Sequence, residues 1–276
     1  MVDDLRTIAA SFDQRAARYT TVEWHRVYAR RFVELASLEP GQRVLDAGAG
    51  TGFATIEIAR RVGVTGKVMA VDVSAGMLAQ LRIAIGALNL SHVELLQDDA
   101  THLPALPDAT FDAVLCSSAL LYMSAAPALR EWHRLLTPRG IVGFSTMCAD
   151  SPPPGRMFRE CASAFGLALE DPSAALGSDE RCREALHSAG FAELTVIPGE
   201  IQLSPSDLLV AWESNLRSAA HAPVRGLSQE KQDSLRGRYE AALQDALAAD
   251  AKALTTGDVL FAFARKPDDA SAERGE

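Results

Sequence analysis

Residues 44–52 read Val44-Leu45-Asp46-Ala47-Gly48-Ala49-Gly50-Thr51-Gly52, an apolar run that ends in Gly-x-Gly-x-Gly. The pattern predicts a buried strand, a tight loop and then a helix. Glycine lets the backbone turn sharply and lets a ligand approach without meeting a Cβ. In an open parallel sheet such a loop lies at the carboxyl end of the first strand, where ligands bind.

Strands and helices alternate outward from this loop. Apolar runs predict strands over 43–47, 67–72, 93–97, 111–116 and 141–146. Helical periods fall at 51–62, at 126–136 and from a Ser74 cap to about residue 88, and Thr137-Pro138-Arg139-Gly140 reads as a turn. Such alternation is α/β, a parallel sheet with helices on both faces. Residues 1–40 read as helical. After residue 148 the rhythm changes, and Ser151-Pro152-Pro153-Pro154-Gly155 reads as a breaker. Helices are predicted over 156–165, 179–189, 204–220 and 228–249, the last burying Leu235, Tyr239, Ala242, Leu243 and Leu247 on one face. Strands are predicted over 193–201 and 257–264.

The chain has 276 residues, 48% hydrophobic and 23% charged, enough apolar material for a sizeable core. Its net charge of −9 repels phosphate backbones and anionic membranes, so no nucleic-acid partner is expected. Cys116, Cys148, Cys161 and Cys182 lack zinc-ligand spacing, so no metal is expected. The N-terminus has early acids and no apolar segment of the kind a signal peptide needs, and no stretch is long enough to span a membrane. A cytoplasmic protein, monomer or homodimer, is expected.

Two nucleotide-like ligands suit a strand–glycine-loop–helix unit. A dinucleotide wants Gly-x-Gly-x-x-Gly with its pyrophosphate on the helix N-terminus, but counting from Gly48 the sixth position is Phe53. Asp46 also places a carboxylate beside a would-be phosphate loop. It suits a ligand that carries positive charge, such as S-adenosylmethionine, which has an ammonium, a sulfonium and no phosphate. A second acid, Asp72, ends the next strand and suits ribose hydroxyls in either case.

With the acids in Asp72-Val73-Ser74-Ala75-Gly76-Met77 and Gln97-Asp98-Asp99-Ala100, the chain resembles the class I S-adenosylmethionine-dependent methyltransferases. Within them it is most similar to the small-molecule branch of the ubiquinone/menaquinone-biosynthesis enzymes. The resemblance spans roughly residues 40–147 and, more weakly, 8–30. It implies a Rossmann-like, doubly wound, seven-stranded, mostly parallel sheet with an antiparallel last strand. It implies a helical lid over 1–40, a cofactor-binding core over 41–150 and helical insertions over 151–256 that carry one core strand. The last strand would lie at 257–266, before a disordered tail at 267–276.

The same resemblance places the cofactor against Tyr19, Asp46, Gly48, Gly50, Gly52, Asp72, Val73, Met77, Asp99, Ala100, Cys116 and Ser117, with Asp98 a rival to Asp99 for the adenine amine. Arg139 stands where the family has a glycine. Methyl transfer from a sulfonium asks mainly for alignment, and a base only where the acceptor must lose a proton early. Glu23, His25 and Tyr28 are the candidates for that base, with plain packing or solvent exposure as the alternative for each. Trp24, Tyr122, Phe158 and Trp212 are the candidate acceptor pocket, for a small, partly apolar natural product. The competing functions are an NAD-dependent oxidoreductase and a non-catalytic S-adenosylmethionine-binding protein.

Overall fold

A computed structural model describes residues 5–19 and 23–268. The expected tail lies outside them from residue 269 onward. The chain divides into two units, residues 1–146, 179–197 and 261–276 in one and 147–178 and 198–260 in the other.

The first unit opens with three helices, α1 (Leu5–Asp13), α2 (Ala16–Tyr19) and α3 (Glu23–Leu35). Then come β1 (Arg43–Ala47), α4 (Phe53–Val62), β2 (Lys67–Asp72), α5 (Ala75–Ala87) and β3 (Val93–Gln97), followed by β4 (Phe111–Ser117), α6 (Ala125–Leu135) and β5 (Leu136–Met147). Ser74 caps α5 by accepting from the Met77 amide at 3.0 Å. The remaining elements are α7 (Pro153–Ser163), α8 (Asp179–Ser188), β6 (Ala192–Gln202), α9 (Pro205–Leu209), α10 (Ala211–Arg217), α11 (Ala222–Arg225), α12 (Gln229–Ala249), α13 (Ala251–Thr255) and β7 (Thr256–Arg265).

The seven strands form one sheet in the order β3-β2-β1-β4-β5-β7-β6. The first five run parallel, with Leu45 opposite both Met69 and Val114. β7 runs antiparallel to β5: Arg139 and Gly140 exchange hydrogen bonds with Lys266, and the Cys148 amide donates to Asp258. β1 and β4 are central and buried on both faces, which is why they read as continuous apolar runs. The sheet is the Rossmann-like, mostly parallel one expected. The strand order turns about β1 and β4, and a cleft beside the carboxyl ends of those two strands is where such sheets bind ligands.

Three local expectations are corrected. Residues 137–140 are not a turn; β5 begins directly at Leu136, because its first residues pair with the end of β7. Arg139 there takes φ +63°, the left-handed conformation that favours glycine. The proline run does not break structure but starts it: Pro153 and Pro154 occupy the first turn of α7, where a missing N–H costs no bond. The helix expected over 204–220 is broken into short pieces after a Ser204–Asp207 capping box.

The second unit has its own core. Phe158, Trp212, Val224, Leu235 and Tyr239 are buried together, with Ala242 and Leu243 packed against them, while Leu247 is exposed. The Tyr239 hydroxyl donates to the Pro154 carbonyl at 3.1 Å and accepts from Asn215 at 3.3 Å. No helix among the described residues is long and apolar enough to cross a membrane.

Candidate active site

A cleft of about 640 Å³ opens at the carboxyl ends of β1, β2, β3 and β4. The glycine loop forms its floor. Gly48, Gly50 and Gly52 all have positive φ (75°, 55° and 96°), which glycine alone adopts without strain. A Cβ on Gly48 would collide with Ala119, and one on Gly52 with Leu81. A Cβ on Gly50 would meet nothing within 4 Å, since Gly50 faces the cleft itself.

Asp72 stands at the end of β2 on the cleft wall. Its Oδ2 accepts from the Gly50 amide at 2.7 Å and its Oδ1 from the Ser74 amide at 2.8 Å. Burial raises its pKa above the usual carboxylate range, and the two amides work against that rise. Each oxygen keeps a further lone pair for a ligand hydroxyl. Val73, Met77, Asp98, Asp99 and Ala100 continue this wall. The Asp99 carboxylate is steadied by the Thr101 amide at 2.8 Å, and Asp98 in turn by the Asp99 amide at 2.8 Å.

The opposite wall comes from α1 and the segment after β4. It consists of Leu5, Ile8, Phe12, Ala119, Tyr122 and Met123. The Phe12 and Tyr122 rings meet edge-on at 5.1 Å, and Arg15 lies over Phe12 at 4.2 Å. Burial pushes the Tyr122 phenol up, against a downward pull from Arg15. Burial also pushes Tyr19 up.

A second pocket of about 390 Å³ shares Tyr19, Gly48, Gly50, Ser117 and Ser118 with the cleft. His25, Tyr28, Thr51 and Phe53 line it too, with Ala29, Ala49 and Ala54. His25 packs between Trp24 at 3.8 Å and Tyr19 at 4.5 Å.

Nine of the twelve expected cofactor residues therefore line the cleft: Tyr19, Gly48, Gly50, Asp72, Val73, Met77, Asp99, Ala100 and Ser117. Asp46, Gly52 and Cys116 do not. Asp46 is fully buried beneath the loop, where its Oδ2 accepts from the Thr55 hydroxyl at 2.5 Å and burial pushes its pKa up to about 7. Gly52 makes room for Leu81, and Cys116 is a buried thiol raised mainly by desolvation. Glu23, expected as a possible base, is exposed and paired with Arg26 at 3.8 Å, away from both pockets. His25 and Tyr28 do line the second pocket, while Trp24 packs against both without lining it. Tyr122 lines the cleft, but Phe158 and Trp212 are spent on the core of the second unit.

S-adenosylmethionine fits this chemistry. Three carboxylates line the cleft, and among the described residues neither Lys nor Arg does, so the lining favours a ligand without phosphate over a pyrophosphate. Thr51 Oγ1 and Ser118 Oγ, on residues that line the pockets, are buried with no hydrogen-bond partner among the described residues. Polar atoms left so are what a polar ligand would satisfy. Ser118 is also held in the left-handed region, at φ +55°, with its amide donating to the Ser145 hydroxyl at 3.1 Å. Nothing in the sequence marks it.

Residues 44–140 match the family described as "Methyltransferase domain". The chain is 30% identical over 224 residues to Nocamycin O-methyltransferase of Saccharothrix syringae, covering 73% of this chain and 79% of that protein. It is 32% identical over 170 residues to the ubiquinone/menaquinone biosynthesis C-methyltransferase UbiE of Pseudomonas savastanoi pv. phaseolicola, covering 59% of this chain and 65% of that protein, just under two thirds. The fold is shared with the YcgJ protein of Bacillus subtilis, at a TM-score of 0.56 and 16% identity over 87% of this chain and 98% of that one.

Proposed function

The chain belongs to the class I S-adenosylmethionine-dependent methyltransferases, and from that premise we propose that it methylates a small, partly apolar metabolite bound against the Phe12–Tyr122 wall of the cleft. The observation that carries this reading is the division of the cleft into a carboxylate wall and an apolar wall. When bound, S-adenosylmethionine supplies a methyl group on a positively charged sulfur, a good leaving group.

Asp72 would hold the ribose hydroxyls, and Asp99, Ala100, Val73 and Met77 the adenine. The loop from Gly48 to Thr51, with Ser117 and Tyr19, would hold the amino-acid end. Leu5, Ile8, Phe12 and Met123 would exclude water from the acceptor and align it. Tyr19 and Tyr122 have pKa values raised above ordinary phenols, so neither serves as a base near neutral pH. His25, which lines the loop's pocket, would accept the proton for acceptors that must lose one.

The names of the relatives support a natural-product or quinone-like acceptor and include both oxygen and carbon methylation. The test is S-adenosylhomocysteine formation over a panel of phenols, carboxylic acids, amines and enolisable carbons. Turnover on apolar members supports the reading. Turnover confined to strongly charged acceptors, or to protein, contradicts it.

A further inference from the structure

We infer that Asp13 is a positioning residue of the cofactor cleft: its carboxylate fastens the end of α1 to the first turn of α5, and so holds the wall carrying Phe12 against the wall carrying Asp72. This rests on the reading of that cleft as the cofactor site.

Four observations carry it. Asp13 Oδ1 accepts from the Ser74 hydroxyl at 2.6 Å and from the Gly76 amide at 2.8 Å. Ser74 is buried and serves three neighbours at once: it donates its hydroxyl to Asp13, accepts from Met77, and gives its amide to Asp72. A Cβ on Gly76 would lie 3.0 Å from Asp13 Oδ1 and 3.1 Å from its Cα, so a side chain at 76 would push Asp13 back by a few tenths of an ångström. Both α1 and α2 pack on α5, and Phe12 and Tyr19, on either side of Asp13, line the cleft.

A carboxylate at a helix N-terminus is favoured by the unpaired amides there. The Ser74 side chain takes the Met77 amide of α5, and Asp13 takes the Gly76 amide from outside the helix. What its carboxylate adds is a link to a segment more than sixty residues earlier in the chain.

The test titrates S-adenosylhomocysteine into the wild-type chain, Asp13→Ala, Asp13→Asn, Gly76→Ala and the Asp13→Ala/Gly76→Ala double variant by calorimetry. Stopped-flow release rates and thermal melts accompany it. Asp13→Ala should weaken binding about tenfold, mostly through faster release, as expected for losing hydrogen bonds to a charged group. Asp13→Asn keeps an acceptor oxygen for both donors and should stay within about threefold of wild type. Gly76→Ala should weaken binding in the same direction but by less, and the double variant should be no worse than Asp13→Ala alone, because both act on the same strap. The inference is overturned if folded Asp13→Ala binds and releases as wild type does, or if the two losses multiply. If Asp13→Ala does not fold, wild-type release from folded Gly76→Ala overturns it equally. Failure of the wild-type chain to bind would instead sink the cofactor reading, and this inference with it.

Discussion

On the wall built from the ends of β2 and β3, carboxylate oxygens of Asp72, Asp98 and Asp99 are held by backbone amides. On the wall built from α1 and the segment after β4, Leu5, Ile8, Phe12 and Met123 offer carbon, and Tyr122 offers a ring. The first arrangement recognises one ligand by directed hydrogen bonds. The second sorts ligands by shape and polarity. A methyltransferase needs the first for its invariant donor and the second for its particular acceptor, so one cofactor wall can serve many activities.

The largest effect should come from closing the floor that both walls share. Gly48→Val adds a Cβ into Ala119 at a left-handed position, and should abolish S-adenosylhomocysteine binding in calorimetry. Gly50→Ala sharpens the point. Its Cβ meets no atom of the described residues within 4 Å, so stability should fall only by the left-handed strain, about 1–2 kcal/mol. Any further loss of affinity then measures how closely the cofactor approaches that backbone.

Asp46 comes next. Its pKa is raised from 3.8 to about 7, so the unfolded chain loses this proton before the folded one does. Stability is therefore unaffected below about pH 4, falls as pH rises from about 4 to 7, and stays lowered above that, by up to about 4 kcal/mol. Asp46→Asn keeps an acceptor for Thr55 and should remove that fall. Melts of the two proteins should converge near pH 4, with the variant the more stable at pH 8. Parallel curves would refute the buried carboxyl.

Asp72→Ala should weaken S-adenosylhomocysteine binding by about 1.5–3 kcal/mol, the cost of a charged hydrogen-bond set. The smallest effect on the cofactor, and the one that separates the walls, is expected of Tyr122→Ala. It should raise the acceptor KM several-fold and leave the cofactor Kd within about twofold, since a lost packing contact acts on the ligand it touches. A parallel loss of cofactor binding would merge the two walls into one.

The carboxylate wall was legible in sequence because its signals are local. A Gly-x-Gly-x-Gly loop after an apolar run, and acids ending the next two strands, need only a few residues to be recognised. The parallel strands from 43–47 to 111–116 were read to within a residue for the same reason. The apolar wall was legible only at Tyr122. Phe158 and Trp212 are aromatic like Tyr122, but composition does not say whether a ring fills a core or lines a cleft. Glu23 follows helical periodicity onto the exposed face of α3. Asp13 meets partners some sixty residues away, and Ser118 takes a conformation no pattern announces. Residues 137–140 carry turn chemistry, yet pairing with β7 made them strand.

The most direct test of the carboxylate wall is a paired titration of the wild-type chain and Asp72→Ala with S-adenosylhomocysteine and with NAD. One-site binding of S-adenosylhomocysteine, weakened at least tenfold by the substitution and with no NAD heat at the same concentrations, is the expected result. Equal affinity in the two proteins, or NAD bound in preference, would contradict it.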